Sequence, residues 1–372
     1  MRDLLSFSEN ISTPAVIFNY NQGIKNIITM QNFADKYGLL LRPHIKAHKM
    51  PIIALEQLKN GAQGITASKL GEVEVMLDAG IKDIILAYPV VGKLKIKKFI
   101  SLAKRAKLST IVDNTYVADK LNEAALDNDM VVEVYIKIDT GLNRLGVTPG
   151  ADLLQLAKYI KGLKALKLKG ILTHAGHVYG ATNRAKVEGI ALSEGTQMVA
   201  CKDMLHKANI DVEIVSIGST PTVKLGGTVK GVTEIRPGNY VLNDAIQVGL
   251  GAATIDECSL RVITTVISKP TKNRVVIDAG SKVFALDKGA HGNNIVNGFG
   301  IILNHPKATL TRLSEEHGVI ECSEDSNINI GDRLEIIPNH ACTVINLTEE
   351  VYFWYGQDKF KPVKVTARGK VQ

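Results

Sequence analysis

Short apolar segments rich in β-branched residues alternate with longer stretches through the first two thirds of the chain. The eight apolar segments are Leu39–Ile45, Gly64–Ala67, Asp83–Ala87, Ser109–Val112, Val131–Ile138, Lys167–Thr173, Val212–Ile217 and Thr233–Arg236. Most of the stretches between them are long enough for a helix, and two of them, Leu70–Ala79 and Leu153–Ile160, repeat apolar residues at helical spacing. Strands that are apolar on both faces and are separated by helices predict a parallel sheet covered by helices.

Eight strand–helix units over about 200 residues favour an α/β fold of the closed (β/α)8 type, the TIM barrel. An open, doubly wound sheet is the alternative, but no GxGxxG turn follows an early strand. We therefore predict the barrel over residues 12–245. A further apolar segment, Pro14–Asn19, precedes the eight and is followed by a helical stretch, so it is a candidate strand of a second domain.

The pattern changes after about residue 245, where short apolar runs are separated by Gly, Pro, Asn and Asp and no helical period is evident. Strands are predicted here at Arg261–Val266, Arg274–Ile277, Gly318–Cys322, Arg333–Ile337 and Val351–Trp354. Runs of short strands joined by turns are typical of a mostly antiparallel sheet. We therefore predict a β domain over residues 246–372, with which residues 1–20 are able to pair.

The composition excludes several classes of protein. Hydrophobic residues make up 45% of the 372 residues and charged residues 22%, which is enough apolar content for a packed core. No apolar stretch reaches the roughly 18 residues of a membrane-spanning helix, and the N-terminal sequence lacks the apolar centre of a secretory signal. The four cysteines form no CxxC pair, which suits a reducing cytoplasm.

The net charge of +8 raises the question of an anionic partner. Much of the excess lies in Lys93–Lys107 and Lys161–Lys169, where lysines are interleaved with apolar residues, and aromatic residues make up only 5% of the chain. A nucleic-acid-binding surface would place aromatics or arginines beside the lysines. We therefore expect no nucleic-acid or membrane partner, and we interpret the excess as solvated outer faces that also attract small anions.

Polar residues at the predicted strand ends define a candidate active site, because barrel enzymes carry their sites at the carboxyl ends of the strands. The first strand ends in RPHIKAHK, in which strand alternation places His44, Lys46 and His48 on one face. Desolvation and neighbouring cations lower the pKa of a lysine in a barrel mouth, which makes Lys46 a competent amine for a Schiff base. A surface cluster of basic residues is the alternative.

The seventh strand is followed by Gly218, Ser219 and Thr220, which form a candidate phosphate site. Small residues allow a phosphate to approach the backbone, and backbone N–H groups and hydroxyls bind its oxygens. A phosphate anchor late in the barrel, together with an amine on the first strand, is the pair of features that pyridoxal 5'-phosphate requires.

The strand-end motifs together identify a family. RPHIKAHK, DTGLNRLGV, HAGHVY, GSTPT, EIRPGNY and a later PNHAC occur in that order over nearly the whole chain. In these motifs the chain resembles the fold-type III pyridoxal-phosphate enzymes, the alanine-racemase-like barrels. More narrowly, it resembles the D-threonine aldolase and D-serine dehydratase family. The resemblance implies a pyridoxal-phosphate-dependent lyase with a small D-amino acid as its substrate.

The resemblance also implies roles for individual residues. Lys46 matches the Schiff-base lysine, Arg144 the arginine at the cofactor's phenolic oxygen, and Arg236 the residue that faces the pyridine nitrogen. Because Arg236 is permanently charged, it should keep that nitrogen unprotonated and weaken the ring as an electron sink. The remaining cofactor residues implied by the resemblance are Tyr179, Gly218, Ser219, Thr220, Gly238 and Tyr240.

His340 and Cys342 form an HxC pair that we interpret as part of a metal site. At strand spacing both side chains share one face, and imidazole with thiolate suits zinc. A core cysteine beside a loop histidine is the alternative. In the family that the chain resembles, these positions hold a divalent ion, zinc or manganese, beside the substrate's 3-hydroxyl. Such an ion lowers the pKa of the hydroxyl or makes it a better leaving group.

Two lyase reactions are compatible with these residues. In a D-threonine aldolase, His174, His177 or a water on the metal takes the 3-hydroxyl proton, and the Cα–Cβ bond breaks to give glycine and an aldehyde. In a D-serine dehydratase, Lys46 removes the Cα proton and hydroxide leaves, which gives pyruvate and ammonia. The HxC pair favours the dehydratase. The compact length and the HAGHVY motif favour the aldolase, which we expect as the activity.

An amino-acid racemase and a non-enzymatic pyridoxal-phosphate-binding protein are further alternatives. A racemase needs a second base, a tyrosine from the partner's β domain, which the sequence does not identify. The non-enzymatic relatives are single barrels, whereas this chain continues to Gln372. The resemblance also implies a homodimer in which the β domain of one chain caps the barrel mouth of the other.

Overall fold

Two β-sheets organise the chain in the structure, a computed structural model that describes residues 4–288 and 295–372. One sheet has eight parallel strands, and the other has nine strands and is mostly antiparallel. The first elements of the chain, helix α1 (Leu4–Phe7) and strand β1 (Ala15–Asn19), precede the barrel. The predicted α/β fold, a TIM-type barrel with a mostly antiparallel second sheet, is confirmed.

The parallel sheet forms the barrel. Its strands are β2 (Leu40–Leu41), β3 (Ile65–Ala67), β4 (Asp83–Leu86), β5 (Lys107–Val112), β6 (Val132–Lys137), β7 (Leu166–Leu172), β8 (Ile214–Ile217) and β9 (Glu234–Ile235). They pair in the order β2-β9-β8-β7-β6-β5-β4-β3. A parallel bridge between His44 and Thr66, and a 2.9 Å bond from Gln63 N to Leu41 O, connect the two ends of this order. All eight strands overlap the predicted segments.

Helices cover the outside of the barrel. They are α2 (Tyr20–Lys36), α3 (Pro51–Lys59), α4 (Leu70–Asp78), α5 (Lys93–Ala103), α6 (Thr115–Leu126), α7 (Ala151–Lys161), α8 (Arg184–Lys207), α9 (Val223–Gly226) and α10 (Ala245–Gly249). The buried residues of α7 are those whose spacing predicts it: Leu153, Leu156, Ala157 and Ile160. Among the helices of the described ranges, none is both long and apolar enough to cross a membrane.

The second sheet is built from both ends of the chain. Its strands after β1 are β10 (Leu260–Thr271), β11 (Arg274–Ile277), β12 (Gly300–Ile302), β13 (Thr309–Leu313), β14 (Gly318–Glu321), β15 (Arg333–Pro338), β16 (Glu350–Trp354) and β17 (Phe360–Lys364). Strand β1 pairs antiparallel with β10 and parallel with β16, so it lies inside this sheet. Helices α11 (Ser281–Phe284) and α12 (Ala341–Leu347) connect strands of the sheet.

The sequence pattern does not predict β12, β13, β17 or the two connecting helices. Strand β17 lies at an edge of the sheet and is largely exposed, so its residues do not alternate clearly between apolar and polar. Helix α12 has seven residues, of which Ala341, Val344 and Ile345 are buried. Such a short helix shows too little of the 3.6-residue period to be distinguished from a strand.

The first barrel strand is shorter than predicted. Strand β2 ends at Leu41 rather than at Ile45, and Ile45–Ala47 form a 3-10 helix. Pro43 has no N–H with which to continue the ladder. The predicted common face of His44, Lys46 and His48 is therefore wrong for His48, whose Nδ1 accepts a hydrogen bond from Met50 N at 3.2 Å. Burial lowers the pKa of His48 to about 4.

Candidate active site

A cavity of about 550 Å3 opens at the carboxyl ends of the barrel strands. It brings together most of the predicted site residues, which are Lys46, Arg144, His174, Tyr179, Gly218, Ser219, Thr220, Arg236, Gly238, His340 and Cys342. His177 and Tyr240 do not line it. Residues from the barrel and from the segment after β15 therefore meet in one site.

Lys46 projects into this cavity from the 3-10 helix that follows β2. Burial lowers the pKa of its ammonium, the nearby Cys342 opposes that effect, and the charges of Arg144 and Arg236 add to the lowering. The ring of His44 accepts a hydrogen bond from Lys46 N at 3.4 Å and is itself neutral, because burial and the charge of Lys46 lower its pKa well below the usual value. The environment therefore raises the fraction of Lys46 that is an uncharged amine.

A chain of buried polar groups fixes Arg236. Its guanidinium donates hydrogen bonds to Ser216 Oγ and to Thr173 O. Ser216 in turn donates to Glu234, which pairs with Arg42 Nε at 2.8 Å. Burial lowers the pKa of Arg236 to about 10, which still leaves the side chain charged at neutral pH. The cavity therefore has a fixed cation at the position that the family resemblance assigns to the pyridine nitrogen.

The turn after β8 lines the cavity through Gly218, Ser219 and Thr220. Gly218 has a φ of 131°, which L-residues with side chains rarely adopt. The N–H groups of Thr220 and Gly238 have no hydrogen-bond partner within the described part of the chain. A Cβ at Gly238 would lie 3.0 Å from His44 O, so a larger residue there would crowd the backbone of the neighbouring segment. These features fit a phosphate group, which binds to unpaired N–H groups at small residues.

The two candidate histidines are in different environments. His174 lines the cavity, and its Nδ1 lies 2.8 Å from Gly218 O. Because a carbonyl only accepts, Nδ1 carries the proton and Nε2 is left as an acceptor. Burial and the charge of Lys46 lower the pKa of His174 well below the usual value. The ring of His177 instead lies against Gly141. A Cβ added to that glycine would lie 3.3 Å from the ring.

The two predicted tyrosines are both buried or partly buried, but only Tyr179 lines the cavity. Its hydroxyl accepts a hydrogen bond from Gln247 Nε2 at 3.3 Å, and burial raises its pKa. The hydroxyl of Tyr240 accepts instead from Gln57 Nε2 at 3.0 Å. The backbone N–H of Tyr240 donates to Thr220 Oγ1 at 3.1 Å, beside the turn that follows β8.

His340 and Cys342 lie together, although not on a strand as predicted. Strand β15 ends at Pro338, His340 is the N-cap of α12, and Cys342 lies in its first turn. Burial opposes protonation of His340, but hydrogen bonds to Asp287 and Cys342 outweigh it and raise the pKa of the imidazole well above its usual value. The two side chains are adjacent because the helix begins between them.

This pair fits a zinc ion in its donor chemistry. His340 Nδ1 bonds to Asp287, as the outer nitrogen of a metal-binding histidine commonly does. Nitrogen and sulfur donors suit zinc, and catalytic sites leave coordination positions for water or substrate. Within residues 4–288 and 295–372, no group of three or more His, Cys, Asp or Glu side chains has the arrangement of a metal site. The chain therefore offers two ligands here.

Several cavity residues are not predicted from the sequence. They are Ser68, Lys69, Tyr88, Lys137 and Asn239. Lys137 is the last residue of β6, and burial, followed by the charge of Arg236, lowers its pKa to about 7. Its position at a strand end, two residues before Asp139, was the available signal, because polar strand ends form the site in such barrels.

The two sheets match two known families. Residues 19–244 match the family described as alanine racemase, N-terminal domain, and residues 259–354 match the family described as putative serine dehydratase domain. The D-threo-3-hydroxyaspartate dehydratase of Delftia sp. (strain HT23) is 32% identical, with 89% of this chain and 91% of that protein covered. The D-threonine aldolase of Arthrobacter sp. is 30% identical, with 91% of this chain and 87% of that protein covered.

Solved structures extend the comparison to nearly the whole chain. The crystal structure of D-threonine aldolase from Filomicrobium marinum has a TM-score of 0.89 at 28% identity and covers 98% of this chain and 97% of that one. The Delftia dehydratase has a TM-score of 0.89 at 29% identity and covers 95% and 97%. Structures of that enzyme include a cysteine-to-alanine variant in a metal-free form, and a histidine-to-alanine variant altered two positions earlier.

Both family matches, the identity to named lyases and the arrangement of the cavity lead to one assignment. The matched barrel family covers more than half of the chain, and pyridoxal 5'-phosphate is the cofactor expected for it. This chain belongs to the D-threonine aldolase and D-serine dehydratase family of fold-type III pyridoxal-phosphate lyases.

Proposed function

We propose that this lyase eliminates water from 3-hydroxy-D-amino acids, with a zinc ion held by His340 and Cys342. The observation that carries the proposal is the position of this pair beside Lys46 in one cavity. A thiolate ligand suits zinc better than manganese, and one structure of D-threo-3-hydroxyaspartate dehydratase is of a cysteine-to-alanine variant in a metal-free form. The pair therefore favours elimination over the aldol cleavage that the HAGHVY motif favours.

The cavity residues are suited to hold pyridoxal 5'-phosphate. The unpaired N–H groups of Thr220 and Gly238 would bind its phosphate, Arg144 its phenolic oxygen and Lys46 its aldehyde. When bound, the cofactor withdraws electrons from the substrate's Cα, and a divalent ion polarises the 3-hydroxyl.

Lys46 is the residue that we propose to take the Cα proton. Its ammonium is disfavoured by burial and by two nearby arginines, so a larger fraction of the side chain is the neutral amine that accepts a proton. Because the pKa of Arg236 is about 10, its guanidinium stays charged at neutral pH and does not transfer a proton to a ring nitrogen. This arrangement favours a reaction in which the leaving group departs as the Cα proton is removed, as in elimination.

Retro-aldol cleavage is a second candidate, because His174 offers a neutral acceptor nitrogen in the same cavity. That nitrogen could take the proton of a 3-hydroxyl, which cleavage requires and elimination does not. His177 is a weaker candidate for this role, since its ring lies against Gly141 outside the cavity lining.

We further propose that the preferred substrate carries a second carboxylate, as 3-hydroxyaspartate does. No Asp or Glu is among the described residues that line the cavity. Five basic residues do line it: Lys46, Lys69, Lys137, Arg144 and Arg236. Lys69 is not assigned to the cofactor. Its ammonium lies 3.8 Å from the centroid of the Tyr88 ring, which holds the charge in place. An anionic substituent would bind more strongly beside this cation than a methyl group would.

Product analysis distinguishes these possibilities. The protein would be incubated with D-threo-3-hydroxyaspartate, D-serine and D-threonine, with pyridoxal 5'-phosphate and zinc or manganese added. Ammonia and a 2-oxo acid are the expected products, with the highest kcat/KM for 3-hydroxyaspartate. Glycine and an aldehyde would contradict elimination and support the second candidate. Lys46→Ala is the control, and it should abolish both the reaction and the absorbance of the bound cofactor.

We also propose that the chain forms a homodimer, on the family resemblance. Capping of the barrel mouth by a partner's β domain would exclude water from the cavity, which strengthens charge interactions inside it. Size-exclusion chromatography with light scattering should give about twice the chain mass of 40.3 kDa. A mass of one chain at micromolar concentration would contradict this expectation.

A further inference from the structure

A buried carboxylate lies beneath the cavity and has no role in the reaction described above. Glu194 is on the buried face of α8, and it is only 1% exposed. Its Oε1 accepts hydrogen bonds from Ala175 N at 3.1 Å and from Gly218 N at 3.0 Å, and its Oε2 accepts from Thr222 Oγ1 at 2.8 Å. One side chain therefore connects a helix to the segments that follow β7 and β8.

These contacts determine which N–H groups of the turn remain available. Gly218 N–H is directed to Glu194, and Ser219 N–H donates to Thr222 Oγ1 at 3.3 Å. Thr220 is the residue of the turn that lines the cavity with an unpaired N–H among the described contacts. The positive φ of Gly218 is part of the same conformation, because it turns the chain directly after the N–H that Glu194 binds.

The same carboxylate also supports His174. Ala175 N, one of its donors, belongs to the residue after His174, and Gly218 O accepts the His174 Nδ1 proton at 2.8 Å. Glu194 therefore fixes Gly218, whose carbonyl accepts the His174 proton, and Ala175, the residue that follows His174. No lysine or arginine lies within ion-pair distance of Glu194 in the described part of the chain, so its contacts are hydrogen bonds to neutral donors.

We propose that Glu194 is a positioning residue for the turn Gly218–Thr222, which it fixes in the conformation that binds the phosphate of the cofactor. This inference rests on the proposed binding of pyridoxal 5'-phosphate. Hydrogen bonds to a carboxylate are stronger than those between neutral groups, and removing the acceptor leaves the buried N–H groups of Ala175 and Gly218 without a partner. The turn would then rearrange to satisfy them, and the phosphate site would be lost first.

Pyridoxal, which lacks the phosphate, separates this role from a general effect on stability. The cofactor-free protein would be titrated with pyridoxal 5'-phosphate and with pyridoxal, and binding would be followed by absorbance. For Glu194→Ala we expect the Kd of the phosphorylated compound to rise at least about tenfold, in keeping with the loss of charge-assisted hydrogen bonds, while the Kd of pyridoxal changes by less than about twofold. Glu194→Gln keeps an acceptor oxygen and can donate to Thr222, so it should bind the cofactor nearly as the wild type does.

Two further variants complete the test. Glu188→Ala, on the exposed face of the same helix, is the matched control and should leave both Kd values unchanged. Thr222→Val nearly keeps the side-chain volume but removes the hydroxyl, and with it the bond to Glu194 and the contacts to Ser219. It decides the matter if Glu194→Ala does not fold: it should weaken binding of the phosphorylated compound only. Equal loss of both ligands, equal loss in Glu194→Gln and Glu194→Ala, or no loss in any variant would overturn the inference. Failure of the wild type to bind the cofactor would instead contradict the proposed function.

Discussion

Lys137 illustrates how burial without a counter-charge changes the chemistry of a residue. Its side chain is only 4% exposed, and its Nζ donates a hydrogen bond to Ile138 O at 3.3 Å. No carboxylate lies within ion-pair distance of it among the described residues. Burial, followed by the charge of Arg236, lowers its pKa to about 7. Near neutral pH the side chain therefore exists both as an ammonium and as a neutral amine.

Replacing Lys137 by methionine should change how the stability of the cofactor-free protein depends on pH. Between about pH 7 and the ordinary lysine pKa of 10.5, the unfolded chain binds more protons at this position than the folded chain does, so stability rises with pH. Lys137→Met removes that dependence, and we expect its Tm to exceed the wild-type value by roughly 2–4 °C at pH 6.5 and by less at pH 8.5. Calorimetry at both pH values measures it. Lys97→Met, on the exposed face of α5, is the control, and a pH-independent difference for Lys137→Met would contradict the expectation.

Lys69 should affect substrate choice rather than the chemical step. If its ammonium binds a second carboxylate, Lys69→Gln loses one charge-assisted contact, and KM for 3-hydroxyaspartate should rise by roughly tenfold with kcat nearly unchanged. KM for D-serine should change little. Steady-state kinetics with both substrates measures the effect. Equal losses with both substrates would show instead that Lys69 binds the carboxylate on Cα, which every amino acid carries.

At the scale of elements, the sequence predicts strands that are buried on both faces. It does not predict edge strands, or buried polar residues whose partners lie in distant segments. The barrel strands read as apolar runs because helices cover one face and the barrel interior the other, so all eight are found. Edge strand β17 has no such signal. Glu194 could have been found as an acidic residue on the apolar face of α8, between Ala191 and Met198, but its partners lie in two other segments.

For the site as well, the sequence predicts which residues meet but not where each side chain points. Motif order predicts Lys46, Arg144 and Arg236 in one cavity because the carboxyl ends of parallel strands meet at one rim. The backbone N–H of Tyr240 donates to Thr220 in the candidate phosphate turn, whereas its hydroxyl accepts from Gln57, because Tyr240 lies within the 3-10 helix Asn239–Val241. Side-chain direction at a strand end depends on the local turn, which residue spacing alone does not specify.

The start of helix α12 is the element on which the metal proposal depends. It places His340 at the N-cap and Cys342 in the first turn, at the edge of the cavity. We expect chelation to remove most of the activity and zinc to restore more of it than manganese does, because one ligand is a thiolate. Cys342→Ala should lower the bound metal, measured by mass spectrometry, from about one ion per chain to below about 0.1.

Cys322→Ala is the matched control for this measurement, since Cys322 is a partly buried cysteine in the second sheet region that does not line the cavity. It should keep both metal and activity. Full metal content in Cys342→Ala, or better restoration by manganese than by zinc, would contradict the assignment of the thiolate as a ligand.

On the scale of the whole molecule, the chain passes from the second sheet into the barrel and back again. Strand β1 lies between β10 and β16, whereas the helix that follows it, α2, packs on the barrel, so the chain enters the second sheet, builds the barrel and then returns. Val16, Ile17 and Phe18 are buried in that position. The predicted division near residue 245 separates the barrel from most of the second sheet, and β1, which the sequence indicates as a candidate strand of the second domain, pairs within that sheet.

A fragment of residues 259–372 should therefore be unstable unless β1 is supplied. Without β1, β10 and β16 lose the strand between them and expose unpaired backbone groups, which promotes aggregation. Because Phe18 lies opposite Leu260 in an antiparallel pair, residues 4–18 can be joined to residue 260 by an Asn-Gly turn as a hairpin. We expect this joined fragment to elute as a single species with a β-sheet circular dichroism spectrum, and fragment 259–372 to aggregate. The joined fragment carrying Ile17→Asp, which places a charge at a fully buried position, should aggregate as the unjoined one does, and equal behaviour of all three would contradict the role of β1.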